Sequence, residues 1–382
     1  MKKSFCLFCA NYLPNLGGVE RYVFNLSKQL IKLGHEVTVV TSNVFDLPSY
    51  EIDENGIEIF RFPCYNFMKG RYPILNKNDE FKVLDKKLSE KHFDLVVINA
   101  RFYIHSLYAA KFAHKNNIAM LTIEHGSSHL SVDNRILDFF GEIYEHILTK
   151  KLKKYCKDYY GVSRAACDWS GHFGIKSKGT LYNAIDIENI QELEKNKICS
   201  YRNQFNIPND ATIITYTGRL VKEKGSYELS VAFDSLKNPN AYLFIAGDGD
   251  MMEKIASISA ENNRIVILGK IDFEHIVALL SESDIFCLPS VYPEGLPTSI
   301  LEAVALRNFI ITTTVGGAKE LVSGEEYGVL LDDNSIEKIA LALEKALLDK
   351  DFCLSATQKC YTRLLETFTW QKTAESLVKI VK

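Results

Sequence analysis

The chain reads as an α/β protein of two Rossmann-like, doubly wound parallel-sheet domains facing a cleft. Three observations carry this expectation. Its 382 residues exceed what one hydrophobic core usually sustains. Short, nearly continuous apolar runs alternate with amphipathic helical stretches, the pattern of strands buried on both faces. A polar, charged interruption near the middle is followed by a restart of the same alternation. The hydrophobic share of 47% and charged share of 24% sit at globular averages, which excludes disordered and collagen-like classes.

KSFCLFCAN opens as a strand and leads into a loop with Gly17-Gly18. Val19, Tyr22, Val23, Leu26, Leu30 and Leu33 then recur at helical spacing until Gly34 supplies a stop. HEVTVVTS completes one βαβ unit. FDLVVINA at 93–100, a helical 103–115 and IAMLTIEHG repeat the layout, as do DYYGVS at 158–163 and KGTLYNAID at 178–186. The first domain is expected over 1–186, a linker over 187–209 and the second domain over 210–367. In the latter, strands at 212–217, 241–246, 264–268, 284–288, 309–312 and 328–331 alternate with helices. FTWQKTAESLVKIVK at 368–382 reads as a last amphipathic helix, expected to pack back on the first domain.

No run approaches the ~20 apolar residues of a membrane span, and the apolar stretch before Asn11 is too short for a signal peptide, so a cytoplasmic protein is expected. Nine cysteines in a chain this long read as thiols, with Cys6 and Cys9 placed in the core by the apolar strand around them. The net charge is −3, with a basic first half and an acidic second half. A partner or membrane surface touched by the first half alone would suit that split, as would a chance division of solvated charge. No nucleic-acid partner is expected. No spacing of His, Cys, Asp or Glu suits a metal, and neither a metal nor a cofactor is expected.

Four segments at strand ends carry candidate chemistry. Gly17-Gly18 lets a ligand approach a helix N-terminus, or simply makes a turn; it lacks the G-x-G-x-x-G pattern. In TGRLVKEKG, Arg219 and Lys224 lie five apart in a loop ended by Gly225. They suit a diphosphate, Arg as a fork and Lys as a point charge, or a solvated basic loop. In SDIFCLPSVYPEGLPTSILEA, Glu294 and Gly295 occupy a turn, and Glu302 lies in the helix that Pro297 opens. Carboxylates here suit vicinal hydroxyls of a sugar or ribose, with the N–H groups of Leu296 and Thr298 turned to phosphate; an acidic helix start that matches the dipole is the other account. TTTVGGAKELV sets Gly316-Gly317 before a helix with Glu320.

The series GGVERYVFNLSKQL, EHG, GVS, NAID, GRLVKEKG, AGDG, VILG, SDIFCLPS, EGLPTSILEA and GGAKEL resembles the family 4 glycosyltransferases of GT-B fold, in order and approximate spacing, over nearly the whole chain. The resemblance implies an acceptor-binding first domain, a nucleoside-diphosphate sugar held mainly by the second, retention of anomeric configuration and no required metal. By position, it gives Arg219 and Lys224 the donor diphosphate, Glu294 the donor-sugar hydroxyls and Glu302 the ribose. Gly18 takes the place of the amide near the β-phosphate, and His125 that of the histidine near the reacting sugar. Gly295, Leu296 and Thr298 fall in the donor loop, and backbone groups near Leu268 and Gly269 are expected to meet the base. Ala184 departs from the family's usual glycine.

The function expected is transfer of a hexosyl or N-acetylhexosaminyl group, from a donor taken as UDP-linked on family frequency. The acceptor is a hydroxyl of a glycan or lipid-linked molecule in cell-surface polysaccharide synthesis. A nucleotide-sugar epimerase, a sucrose- or trehalose-type synthase and a non-catalytic nucleotide-sugar-binding protein are the alternatives. Residues 139–157 join an apolar face of Phe139, Phe140, Ile143, Tyr144, Ile147 and Leu148 to five lysines. Contact with an anionic membrane at the inner face of the cell membrane is one reading of this stretch. An ordinary packed helix with a solvated lysine tail is the other.

Overall fold

The structure, a computed structural model, describes residues 1–15, 17–68, 70–129, 134–293 and 295–381. It divides into two units, Met1–Asn183 with Trp370–Lys382, and Ala184–Thr369. The first is built on an eight-stranded sheet in the order Gly179–Thr180, Tyr159–Gly161, Met120–Glu124, Leu95–Asn99, Ser4–Phe8, Glu36–Ser42, Glu58–Phe62, Tyr50–Ile52. Neighbours run parallel except the last pair. Phe8, Phe60, Phe62, Ile98 and Phe112 share one buried cluster with Cys6 and Cys156. The continuous apolar strands are the direct consequence of helices covering both faces. All nine cysteines are thiols, and burial raises the pKa of Cys6 and Cys9, as suits core residues.

The second unit holds a six-stranded, wholly parallel sheet in the order Ile265–Gly269, Ala241–Ala246, Thr212–Thr217, Ile285–Leu288, Phe309–Thr313, Val329–Leu331. Each sheet starts near its middle, winds to one side and then returns to wind to the other. The reversal falls between Ser4–Phe8 and Leu95–Asn99 in the first unit, and between Thr212–Thr217 and Ile285–Leu288 in the second. At such switch points the loops leaving the carboxyl ends of adjacent strands diverge and open a ligand-sized crevice.

Two segments differ from the sequence expectation. Residues 187–209 are folded into the second unit instead of forming a free linker. Asp186 caps the helix Ile187–Lys195 and Ser200 caps Tyr201–Gln204, while Ile190, Tyr201 and Ile207 are buried. Arg202 fastens the segment, with its backbone N–H donating to Glu282 Oε2 at 2.9 Å and its guanidinium to the carbonyls of Pro208 and Ala211. Residues 50–75 carry four short strands, two of them paired as the hairpin Cys64–Phe67 with Tyr72–Leu75. The helix Trp370–Ile380 belongs to the first unit, where the Trp370 ring meets Tyr22 edge-on at 5.1 Å.

Candidate functional site

At the reversal point of the second unit, three strand-end loops are laced together by backbone hydrogen bonds. Gly218 N donates to Ala246 O, Leu220 N to Asp248 O and Gly247 N to Gly269 O. A Cβ on Gly247 would collide with the Gly218 carbonyl, so this close passage of two loops admits only glycine there. The lacing fixes Arg219 at one strand end, with Leu268 and Gly269 half-buried at the end of an outer strand. Lys224 closes a short 3-10 turn over Lys222–Lys224 that ends on Gly225 at φ 72°. A side chain at Gly225 would strike the Pro289 carbonyl.

That turn rests on the loop from the neighbouring strand. Val291 N donates to Glu223 O at 2.7 Å, and Thr313 Oγ1 donates to Ser290 O beneath it. The result places Arg219 and Lys224 on one aromatic ring, Tyr292, at 5.4 and 5.5 Å from its centroid. Tyr292 is a site residue the sequence reading missed; an aromatic beside a Pro-Glu-Gly turn gives no signal until the two loops are seen together. Burial and the neighbouring Arg219 charge push the Lys224 pKa down to about 8.

The loop then enters the helix Thr298–Ala305, whose N-cap residue, Pro297, makes no side-chain capping hydrogen bond. Gly295 and Leu296 are buried, Thr298 is exposed, and Glu302 is buried one turn in. The helix start carries a positive dipole end, and the two cations stand over Tyr292 on the loop that leads to it, an arrangement fit for an anion. Glu294 lies outside the described residues.

The first unit has its own polar centre at its reversal point. Asn99 Nδ2 donates to Phe8 O at 3.1 Å across the two central strands, which turns its Oδ1 toward His125 Nε2 at 3.0 Å. That nitrogen must therefore donate, and Nδ1 keeps its lone pair. Burial pushes the His125 pKa down to about 3, so the ring is neutral. Tyr22 packs edge-on against it at 4.8 Å and lies one turn into the helix begun by Gly18. A Cβ at Gly18 would meet nothing within 4 Å, so internal packing does not demand glycine there.

Buried charge orients the same loop. Glu124 Oε1 accepts from the backbone N–H of His125 and of Gly126, while its Oε2 lies 2.7 Å from Arg101 Nε. Burial raises the Glu124 carboxyl against the pull of Arg101. Arg101, almost wholly buried, also donates to Glu145 at 3.1 Å. Asn99, Tyr22 and Arg101 were not legible as site residues, because each is an ordinary residue until the topology gathers them.

The helix Arg135–Leu152 exposes Ile136, Leu137, Phe139, Phe140, Ile143 and Ile147. With the hairpin Cys64–Phe67 and Tyr72–Leu75 it borders an apolar groove of about 290 Å³, lined by Phe67, Tyr72, Ile74, Leu137, Phe140 and Tyr144. Of the five lysines that follow, Lys153 is spent on the carbonyls of Phe173 and Gly174, and Lys157 on that of Lys153. Lys150, Lys151 and Lys154 remain exposed. Among the described residues no helix is long and apolar enough to cross a membrane.

The Lys224 geometry gives a pH dependence. The folded protein keeps the Lys224 proton below about pH 8 and sheds it above, well before an ordinary lysine would. Affinity for inorganic pyrophosphate should therefore fall between pH 7 and pH 9, measured by calorimetric titration. Lys224→Arg, charged throughout this range, should flatten the dependence; an unchanged slope in that variant would remove Lys224 from the anion site.

Comparison with known proteins bears on both units. Residues 16–189 match the family model "Glycosyltransferase Family 4", and residues 198–363 match "Glycosyl transferases group 1". An uncharacterized glycosyltransferase of Methanocaldococcus jannaschii is 25% identical over 99% of this chain and 98% of its own length. One human phosphatidylinositol N-acetylglucosaminyltransferase subunit is 22% identical over 99% of this chain and 75% of its own. Among solved structures, Anabaena HepE in complex with UDP superposes with a TM-score of 0.76 at 16% identity, covering 99% of both chains. A glycosyltransferase from Rickettsia africae superposes with a TM-score of 0.75 at 20% identity, covering 100% of this chain and 98% of its own. These structural likenesses establish the fold, two Rossmann-like units of the GT-B type. With matches to both halves in their proper order, the chain belongs to the glycosyltransferases of the family 4 type.

Proposed function

We propose that the protein is a retaining glycosyltransferase that moves a sugar from a UDP-linked donor to a hydroxyl of a glycan or lipid-linked acceptor. The observation that carries this reading is the pair Arg219 and Lys224, held over Tyr292 at the second unit's switch point, on the loop that leads to the helix Thr298–Ala305. Breaking the anomeric C–O bond gathers negative charge on the leaving diphosphate and oxocarbenium character on the sugar. Preorganised cations and amides stabilise the first of these, which is the work a metal does in other transferases. The UDP complex of Anabaena HepE supports uridine, and the name of the human relative supports an N-acetylhexosamine and a lipid-borne acceptor.

In this reading Glu302, inside the helix, grips the ribose, and Glu294, eight positions earlier in the sequence, grips the transferred sugar. The first unit binds the acceptor. Its exposed apolar helix face and groove belong to the helix that leads into three exposed lysines, which suits an acceptor presented at an anionic lipid surface.

Arg219→Ala and Lys224→Ala should each lower turnover about a hundredfold or more, since removing one such stabilising donor costs ~3 kcal/mol. Wild-type rates in both variants would overturn the assignment. Turnover in EDTA should persist at a temperature where the protein stays folded. Glu302→Gln should chiefly raise KM for the donor, because the ribose does not react, whereas Glu294→Gln should lower kcat. Steady-state kinetics with one donor decides it, and the opposite split would exchange the two roles. For the lipid surface, the double variant Phe139→Asp with Phe140→Asp should lose cosedimentation with phosphatidylglycerol vesicles while keeping donor hydrolysis. Undiminished sedimentation would count against the membrane contact.

A further inference from the structure

Three histidines far apart in sequence meet on the first unit. His129 follows the strand Met120–Glu124, His146 lies on the helix Arg135–Leu152, and His172 ends the helix Arg164–Gly171. His172 Nε2 is 3.3 Å from His129 Nε2 and 3.2 Å from His146 Nε2, and one ring nitrogen from each residue lies within 4.8 Å of the other two. Around a tetrahedral zinc ion with Zn–N bonds of about 2.05 Å, neighbouring ligand nitrogens stand about 3.3 Å apart. The two close pairs have that spacing.

Proton counting favours a cation over a hydrogen-bonded cluster. His129 Nδ1 lies 3.2 Å from Glu145 Oε2, and the carboxylate, already held by Arg101, can only accept. His129 Nδ1 therefore donates, and the tautomer with its single proton there turns an Nε2 lone pair toward His172. His172 Nε2 carries at most one proton yet faces two nitrogens, so one N–H cannot satisfy both contacts. A metal ion accepts all three lone pairs at once. The Glu145–His129 pair is also the carboxylate–histidine arrangement that orients metal-binding imidazoles. Trp169 stacks on His172 at 4.8 Å and 5°, and Phe173 packs against all three rings, which gives the cluster a firm apolar wall. His146 and His172 are exposed, leaving an entry path for the ion.

We infer that His129, His146 and His172 form a binding site for a divalent transition-metal ion of the zinc class, which staples the segment after His125-Gly126 to two helices. The signal was invisible in sequence, because the ligands come from three separate elements with no short spacing between them. The site shares the first unit with His125, but none of its three ligands is a residue assigned to the donor.

The test uses the full chain, stripped with chelator, dialysed and titrated with Zn²⁺ or Co²⁺. Expected are one ion bound per chain, a rise in Tm on Zn²⁺ addition and visible Co²⁺ bands of a four-coordinate site. His146→Ala and His172→Ala, both at exposed positions, should each weaken binding by roughly tenfold to a hundredfold, and the double variant should abolish it with unchanged circular dichroism. No stoichiometric binding to the wild type, or binding retained in the double variant, would overturn the proposal. Donor hydrolysis measured on that double variant keeps the two questions apart, because it should persist whichever way the metal result falls.

Discussion

Burial of a parallel sheet on both faces is the constraint on which the rest of this structure depends. Strands such as Ser4–Phe8, Leu95–Asn99 and Ile285–Leu288 have no solvent face on which to place a polar side chain. Chemistry is driven to the strand ends, and of these only the ends flanking a winding reversal open outward. Both units obey this. His125 and Gly18 gather at one reversal, and Arg219, Lys224 and the helix bearing Glu302 at the other, because the topology leaves few other places for a polar cluster.

The two centres handle charge in opposite ways. In the first unit Arg101 is closed off by Glu124 and Glu145, and His125 is kept neutral, so the charge there is internally compensated. In the second, two cations are held near each other by a glycine-ended turn and a shared ring, and the Lys224 pKa is pushed down to about 8. An arriving anion offsets the mutual repulsion of two like charges. Such preorganisation is worth most when negative charge grows during the reaction, as it does on a departing diphosphate.

The strand–helix alternation was legible because doubly covered strands are continuous apolar runs, as in LVVIN and FIITT. Strand-end motifs were legible for a related reason, since glycine pairs and cations stand out against such runs. The strands Tyr50–Ile52, Cys64–Phe67 and Tyr72–Leu75 were not, being short and partly exposed: Cys64–Phe67 has no fully buried residue. Residues 187–209 read as a linker because Ile190 is the one buried side chain of its helix. Partners such as Tyr292, Asn99 and the three histidines have identities that mean nothing at their own positions. Only the sheet order and the crossing of loops give them chemical neighbours.

The central claim is that the donor diphosphate sits at the carboxyl edge of the second unit's sheet, where Arg219 and Lys224 share Tyr292. A crystal structure of the protein soaked with a UDP-sugar tests it most directly. The account predicts diphosphate oxygens within hydrogen-bond distance of the Arg219 guanidinium and Lys224 Nζ, with the ribose against Glu302. A nucleotide bound at a site lined by neither cation would contradict it.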